Sequence, residues 1–238
     1  MRSLLFKGSL FFVGAALLLW ATCHTPYFAP YGFGFLSAVA ACAYLLGSVP
    51  YGLLLTKFFG GEDLRTVGSG NIGATNVLRT GRKALAFFTL LLDALKAALA
   101  IYLAKHVTPP PFDPYPVMLV AATFAILGHL FPIWLSFKGG KGIASCAGSL
   151  FMLSWPVGLI TLGTWVFVFG ITKISSLAAF VAILSVPVSC YLLGTPVSLV
   201  IWFSLIAFLV LIKHRDNLKR LTQGKEAKID LSCSRKSP

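Results

Sequence analysis

The chain has 238 residues, 57% of them hydrophobic and only 11% charged, with a mean hydropathy of +0.85. Soluble domains carry about 25% charged residues, so a soluble globular fold is excluded and a polytopic, all-α membrane bundle is indicated. The 20 Lys and Arg outnumber 7 Asp and Glu for a net charge of +13; in a chain mostly inside a bilayer this points to anionic lipid or an anionic substrate and sets nucleic acid aside.

The first apolar run, Leu4–Thr22, is led by Arg2 and Lys7 at its basic start. It resembles a signal peptide in its basic start and apolar centre, and is read as an uncleaved anchor. Phe35–Thr56 is the second run, with Ser48 and Pro50 as packing and kink elements. Ala84–Ala104 is the third and carries Asp93 and Lys96, read as an intramembrane ion pair. Val117–Phe137 is the fourth. Ile143–Thr172 reads either as one long helix or as a hairpin around Pro156. Ser176–Leu193 and Val197–Ile212 close the set, and the tail after Arg220 is polar and reads as partly disordered.

Charge decides the ambiguous stretch. The basic loops 58–83 and 138–142 and the basic tail share the cytoplasmic side only if an even number of passes separates Lys141 from Lys213. The hairpin supplies this, and predicts eight helices with both termini cytoplasmic. The division expected is an extra N-terminal span and external loop over 1–34, a seven-helix core over 35–220 and a basic polar tail over 221–238. The five cysteines, Cys23, Cys42, Cys146, Cys190 and Cys233, form no CxxC or Cys/His cluster, so no disulfide framework, metal or other cofactor is implied.

Three polar segments fall on one side of this topology. The first, from Asp63 to Arg79, contains Gly68-Ser69-Gly70-Asn71-Ile72-Gly73-Ala74-Thr75-Asn76. Its glycines let backbone N–H groups approach an anion, Ser69, Asn71, Thr75 and Asn76 add side-chain hydrogen bonds, and Arg65 and Arg79 add charge. The spacing matches a dinucleotide fingerprint in letters but has no preceding strand or βαβ unit. The second segment holds His129 and Lys138-Gly139-Gly140-Lys141, again backbone donors beside ammonium groups, without the spacing of a P-loop. The third holds His214, Arg215 and Asn217, with His214 and Asn217 on one face of a continuing helix. Plainer readings stand beside each: a tight interhelix turn that needs glycine, a basic cytoplasmic turn, and basic residues at a helix C-terminus. His129 is a packing or capping residue, or a base.

The segments Gly47–Gly52, Gly68–Arg79, Gly128–Pro132, Phe137–Gly142 and His214–Asn217 together resemble the bacterial acyl-phosphate:glycerol-3-phosphate acyltransferases, the PlsY family. The resemblance implies an integral inner-membrane enzyme that moves a fatty acyl group from acyl phosphate to the 1-hydroxyl of glycerol 3-phosphate, giving lysophosphatidic acid and phosphate. It implies roles in catalysis for Ser69, Arg79, Lys141, His214 and Asn217. It matches Gly70, Asn71, Gly73 and Asn76 to the family's glycine-rich loop and carries Ser176 over for a serine near the start of the sixth span; the residue reading adds Arg65, Gly68, Thr75, His129, Lys138, Gly139, Gly140 and Arg215 as binding candidates. Asp216 stands where the family often has Glu. The partners implied are the two substrates and membrane lipid, with no obligate protein partner. Other acyltransferases that make this product carry His-x4-Asp; the residues five beyond this chain's histidines are Ala29, Pro111, Trp134 and Lys219, none of them Asp. The alternative from another class is a transporter of a small phosphate ester, which the clustering of polar residues at one face disfavours.

Overall fold

The computed structural model describes residues 25–229. The expected first span, Cys23 and Cys233 lie outside them. Ten helices follow in order: α1 Phe33–Gly47, α2 Tyr51–Phe58, α3 Ala74–Arg79, α4 Lys83–Val107, α5 Tyr115–Leu130, α6 Ile143–Leu153, α7 Trp155–Thr172, α8 Ser175–Leu192, α9 Val197–Lys213 and α10 Arg215–Thr222. Among the described residues there is no strand. Five helical segments are long and apolar enough to cross a membrane: Phe33–Phe58, Lys83–Val107, Tyr115–Leu135, Trp155–Thr172 and Ser175–Leu192. Ile143–Leu153 and Leu199–Lys213 are shorter apolar helices. The chain is thus an all-helical, multi-pass membrane protein.

α5 is the most buried of the spans. It packs on α1 and α4, while α8 packs on α7 and α9. Small residues permit the closest approach: a Cβ on Gly47 of α1 would overlap the Ala125 backbone of α5, the way membrane helices gain packing where lipid supplies no hydrophobic drive.

Two expected helices are shorter or broken, and proline is the reason in both. The run Phe35–Thr56 divides into α1 and α2, because Pro50 has no N–H and disfavours helical geometry at Val49. The break is satisfied from neighbours: Ser48 Oγ donates to the Leu45 carbonyl at 2.7 Å and accepts from Trp134 Nε1 at 2.7 Å, and Lys96 Nζ donates to the Val49 carbonyl at 2.8 Å. The run Val117–Phe137 stops at Leu130, ahead of Pro132, and continues as a 3-10 turn over Ile133–Leu135.

The hairpin reading of Ile143–Thr172 holds, with its break at Ser154 (φ −157°, ψ 90°); Pro156 opens α7. Lys141 at the start of this stretch bonds Asn217. At its end, the Lys173 carbonyl accepts from the Ile229 N–H at 2.8 Å and Ser175 lies 3.0 Å from Thr75. Both ends of the hairpin therefore meet the three polar segments at one end of the bundle. The 221–229 stretch is correspondingly folded onto this end, not a loose tail.

Candidate active site

The 63–76 loop is organised by one buried amide. Asn76 Oδ1 accepts the Ser69 N–H at 2.9 Å, and its Nδ2 donates to the carbonyls of Leu64 at 2.9 Å and Val67 at 3.0 Å. Asn71 Oδ1 accepts the Gly73 N–H at 2.9 Å. Both amides shape the loop that presents Ser69 and Thr75, and both also wall a chamber at this end of the bundle. Gly68 lies in the left-handed region (φ +57°), where a Cβ would overlap Asn76 Oδ1.

The Lys138–Lys141 turn folds back over the end of α5. The Gly140 N–H donates to the His129 carbonyl at 3.0 Å and the Gly139 N–H to the Leu130 carbonyl at 3.3 Å. The expectation that these glycines offer backbone donors to an anion is corrected: both N–H groups satisfy carbonyls at a helix C-terminus. What the turn delivers is Lys141, whose Nζ donates to Asn217 Oδ1. Burial lowers the Lys141 pKa to about 8, with Arg220 and Arg79 adding to the effect and Glu226 and Asp216 opposing it.

α9 ends at Lys213, and the chain turns at His214 into α10. His214 Nδ1 lies 2.9 Å from the Val210 carbonyl; a carbonyl only accepts, so Nδ1 carries the proton and Nε2 keeps a lone pair. Burial pulls the His214 pKa down to about 4, opposed by that backbone bond and aided by Lys141, which leaves the ring neutral at pH 7. Asn217 Nδ2 donates to Glu226 Oε1 at 2.7 Å. The same oxygen accepts from Ser176 Oγ at 2.9 Å, while Oε2 accepts from Arg220 Nε at 2.7 Å. Burial works against the Glu226 anion, and the bonds from Arg220, Asn217 and Ser176 overcome it, so its pKa is lowered.

Two adjoining cavities result. A chamber of about 330 Å³ is walled at its polar end by Ser69, Arg79, Lys141, His214 and Asn217 and at its apolar end by Leu150, Leu162, Trp165, Val166 and Ile183. A bowl of about 210 Å³ is walled by Gly70, Gly140, Lys213, Arg215, Asp216 and Arg220, its cations outnumbering its one carboxylate. Ser69, Asn71, Lys141 and Asn217 belong to both. Leu150 and Ile183 lie about two turns, roughly 10 Å, below the polar ends of α6 and α8.

Of the residues singled out in the sequence, Gly73, Thr75, Asn76, His129 and Ser176 also wall the chamber. Arg65, Gly68, Lys138 and Gly139 wall neither cavity. Arg65 is instead paired with Asp63 at 2.6 Å on the surface. The hydrogen bonds from Arg220 and Asn217 hold Glu226, not Asp216, which lies exposed 4.0 Å from Arg215. Glu226 went unnoticed in the sequence. The signal available for Glu226 was its rarity, as one of 7 acidic residues in a strongly basic chain. Among the described residues no group of His, Cys, Asp and Glu is arranged to hold a metal.

The sequence profile of the family described as glycerol-3-phosphate acyltransferase matches residues 37–224. A glycerol-3-phosphate acyltransferase of Mesorhizobium japonicum is 50% identical over 186 residues, 78% of this chain and 92% of that protein. One of Jannaschia sp. is 46% identical over 194 residues, 82% of this chain and 93% of that protein. The crystal structure of PlsY, an integral membrane glycerol 3-phosphate acyltransferase, in its glycerol 3-phosphate form superposes with a TM-score of 0.75 at 34% identity, over 82% of this chain and 96% of that one. Its lysophosphatidic acid form gives 0.73 at 33% identity, over 81% and 94%. The polar cluster at one end of this bundle thus sits in an integral membrane acyltransferase, and the chain belongs to the glycerol-3-phosphate acyltransferase family, PlsY.

Proposed function

We propose that the chain transfers a fatty acyl group from acyl phosphate to the 1-hydroxyl of sn-glycerol 3-phosphate, releasing lysophosphatidic acid and phosphate, at the cytoplasmic face of a bacterial inner membrane. The observation that carries this reading is the junction of a largely apolar chamber and a cationic bowl across Ser69, Asn71, Lys141 and Asn217. An acyl phosphate needs both environments, because its chain is apolar and its head is an anion.

Both reactants carry a phosphate, and the two repel. Lys141 lies between the cavities, with Arg79 at the chamber and Arg215 and Arg220 at the bowl. These cations offset the repulsion and bring hydroxyl and carbonyl carbon together, the main requirement when the leaving group is already good. The hydroxyl oxygen forms a bond to the acyl carbon, and the bond from that carbon to the phosphate oxygen breaks. The hydroxyl proton leaves on a phosphate oxygen or on Nε2 of the neutral His214. Ser69 donates toward the developing oxyanion. No acyl-enzyme is required, since the phosphate leaving group already activates the donor.

The test is product formation by the purified protein in detergent, with labelled glycerol 3-phosphate and either acyl phosphate or acyl-CoA. Lysophosphatidic acid formed with acyl phosphate alone is the expected result; formation from acyl-CoA alone would overturn the donor assignment. Labelling of single cysteines at 69, 141 and 214 from each side of a vesicle tests the sidedness, and reaction from the periplasmic side would refute it.

A further inference from the structure

A cluster of charged groups lies inside the bundle, with Asp93 and His129 in the chamber wall, and has no part in the chemistry above. Asp93 and Lys96, one turn apart on α4, are 2% and 3% exposed, with Lys96 Nζ 2.7 Å from Asp93 Oδ1. Lys96 is held from its other side by the Val49 carbonyl that the α1–α2 break frees. His129, on the last turn of α5, has Nδ1 at 3.6 Å from the same Asp93 oxygen, beyond hydrogen-bond length, and that nitrogen has no other partner. Ser145 Oγ on α6 donates to the Asp93 carbonyl at 3.0 Å. Lys96 and His129 therefore face one carboxylate oxygen, while Val49 steadies Lys96 and Ser145 ties the Asp93 backbone to α6.

The other side of the imidazole supports the turn that carries Lys141. A Cβ at Gly140 would overlap Nε2 of His129, and its next nearest neighbours would be Cε1 and Cδ2 of the same ring. The Gly140 backbone therefore rests on the imidazole, and its N–H bonds the His129 carbonyl. A buried ion pair is a weak source of stability and a costly one within a bilayer. It does fix a direction, because a charged partner on one side and a backbone on the other leave the ring little room to turn.

We propose that Asp93 and His129 are positioning residues: Asp93, pinned by Lys96, orients the His129 ring, and the ring sets the seat of Gly140 and so the place of the Lys141 ammonium between chamber and bowl. The inference rests on the reading of Lys141 as an anion ligand. It assigns to this buried cluster an effect on substrate affinity that passes through the turn, not through contact with the reacting atoms.

The experiment is steady-state kinetics in detergent with glycerol 3-phosphate varied, on protein whose folding is checked by gel filtration and thermal unfolding. His129→Ala is expected to raise the KM for glycerol 3-phosphate about tenfold or more while kcat falls less, as for a displaced ligand. Asp93→Asn should shift KM in the same direction. Gly140→Ala should be impaired because its methyl meets the ring. Combining it with His129→Ala should restore part of the loss, since the vacated space takes the methyl. A wild-type KM in His129→Ala, or a double variant no better than Gly140→Ala alone, would overturn the proposal. If His129→Ala is not recovered folded, His129→Asn, which is smaller than the imidazole, is read by the same criteria. Lys141→Ala with unchanged KM would sink the anion reading and this proposal with it, and it tells that failure apart, because only then is Lys141→Ala itself silent.

Discussion

The depressed pKa of Lys141 makes a prediction about pH that the sequence could not. Burial brings it from the ordinary 10.5 to about 8, which at roughly 1.4 kcal/mol per unit is a penalty of about 3 kcal/mol on the buried cation. The folded protein disfavours the charged form, so the penalty is fully present below about pH 8 and is relieved as pH climbs toward 10.5. The anion site works against this relief, because only protonated Lys141 attracts a phosphate. In free enzyme the cationic fraction is about one half at pH 8 and about one tenth at pH 9. The kcat/KM for glycerol 3-phosphate should therefore fall about fivefold from pH 8 to pH 9 and about tenfold per unit beyond, since kcat/KM reports the free enzyme. A bound phosphate favours the cation, so the same limb in kcat should lie at higher pH. Lys141→Arg keeps its charge throughout, and although its geometry differs and its rate should be lower, the alkaline limb should disappear. A wild-type profile flat to pH 10, or a limb that persists unmoved in Lys141→Arg, would refute the reasoning.

Other perturbations test the supporting shell. Glu226→Gln removes the charge that Arg220, Asn217 and Ser176 converge on; a loss on the order of 2 kcal/mol is expected from hydrogen bonds to a charged group, read as a lower unfolding midpoint in detergent. Asn76→Ala strips the Ser69 N–H and the carbonyls of Leu64 and Val67 of their partner. It should cost about 1–3 kcal/mol and depress kcat/KM through the displaced Ser69; unchanged kinetics would count against the loop's role. Val166→Trp enlarges a side chain on the apolar wall of the chamber. Turnover of long-chain donors should drop more than that of short-chain donors, with the KM for glycerol 3-phosphate unaltered, and an equal drop for both would argue that the chain lies elsewhere.

The parts of this molecule that could be read from its sequence are those fixed by short-range rules. Apolar length marks the spans, and the need to keep Lys141 and the post-Lys213 residues at one end forces an even number of passes between them, which is why the hairpin at Ser154 was legible without coordinates. Pro50 was legible as a kink but not as a break. Whether Pro50 bends or divides a helix depends on what satisfies the freed Val49 carbonyl, and that partner, Lys96, is 47 residues away. The same limit explains the polar segments. Glycine-rich composition announced a tight backbone, but it could not say whether the N–H groups of Gly139 and Gly140 face an anion or the end of α5. The answer depends on a tertiary contact with His129. Glu226 was missed for a related reason: a lone carboxylate in a basic tail looks solvated until Asn217, Arg220 and Ser176 are brought around it. Asp93 and Lys96 were visible as a pair because their spacing is local, whereas their bearing on Lys141 runs through His129 and Gly140, on elements that only the fold sets side by side.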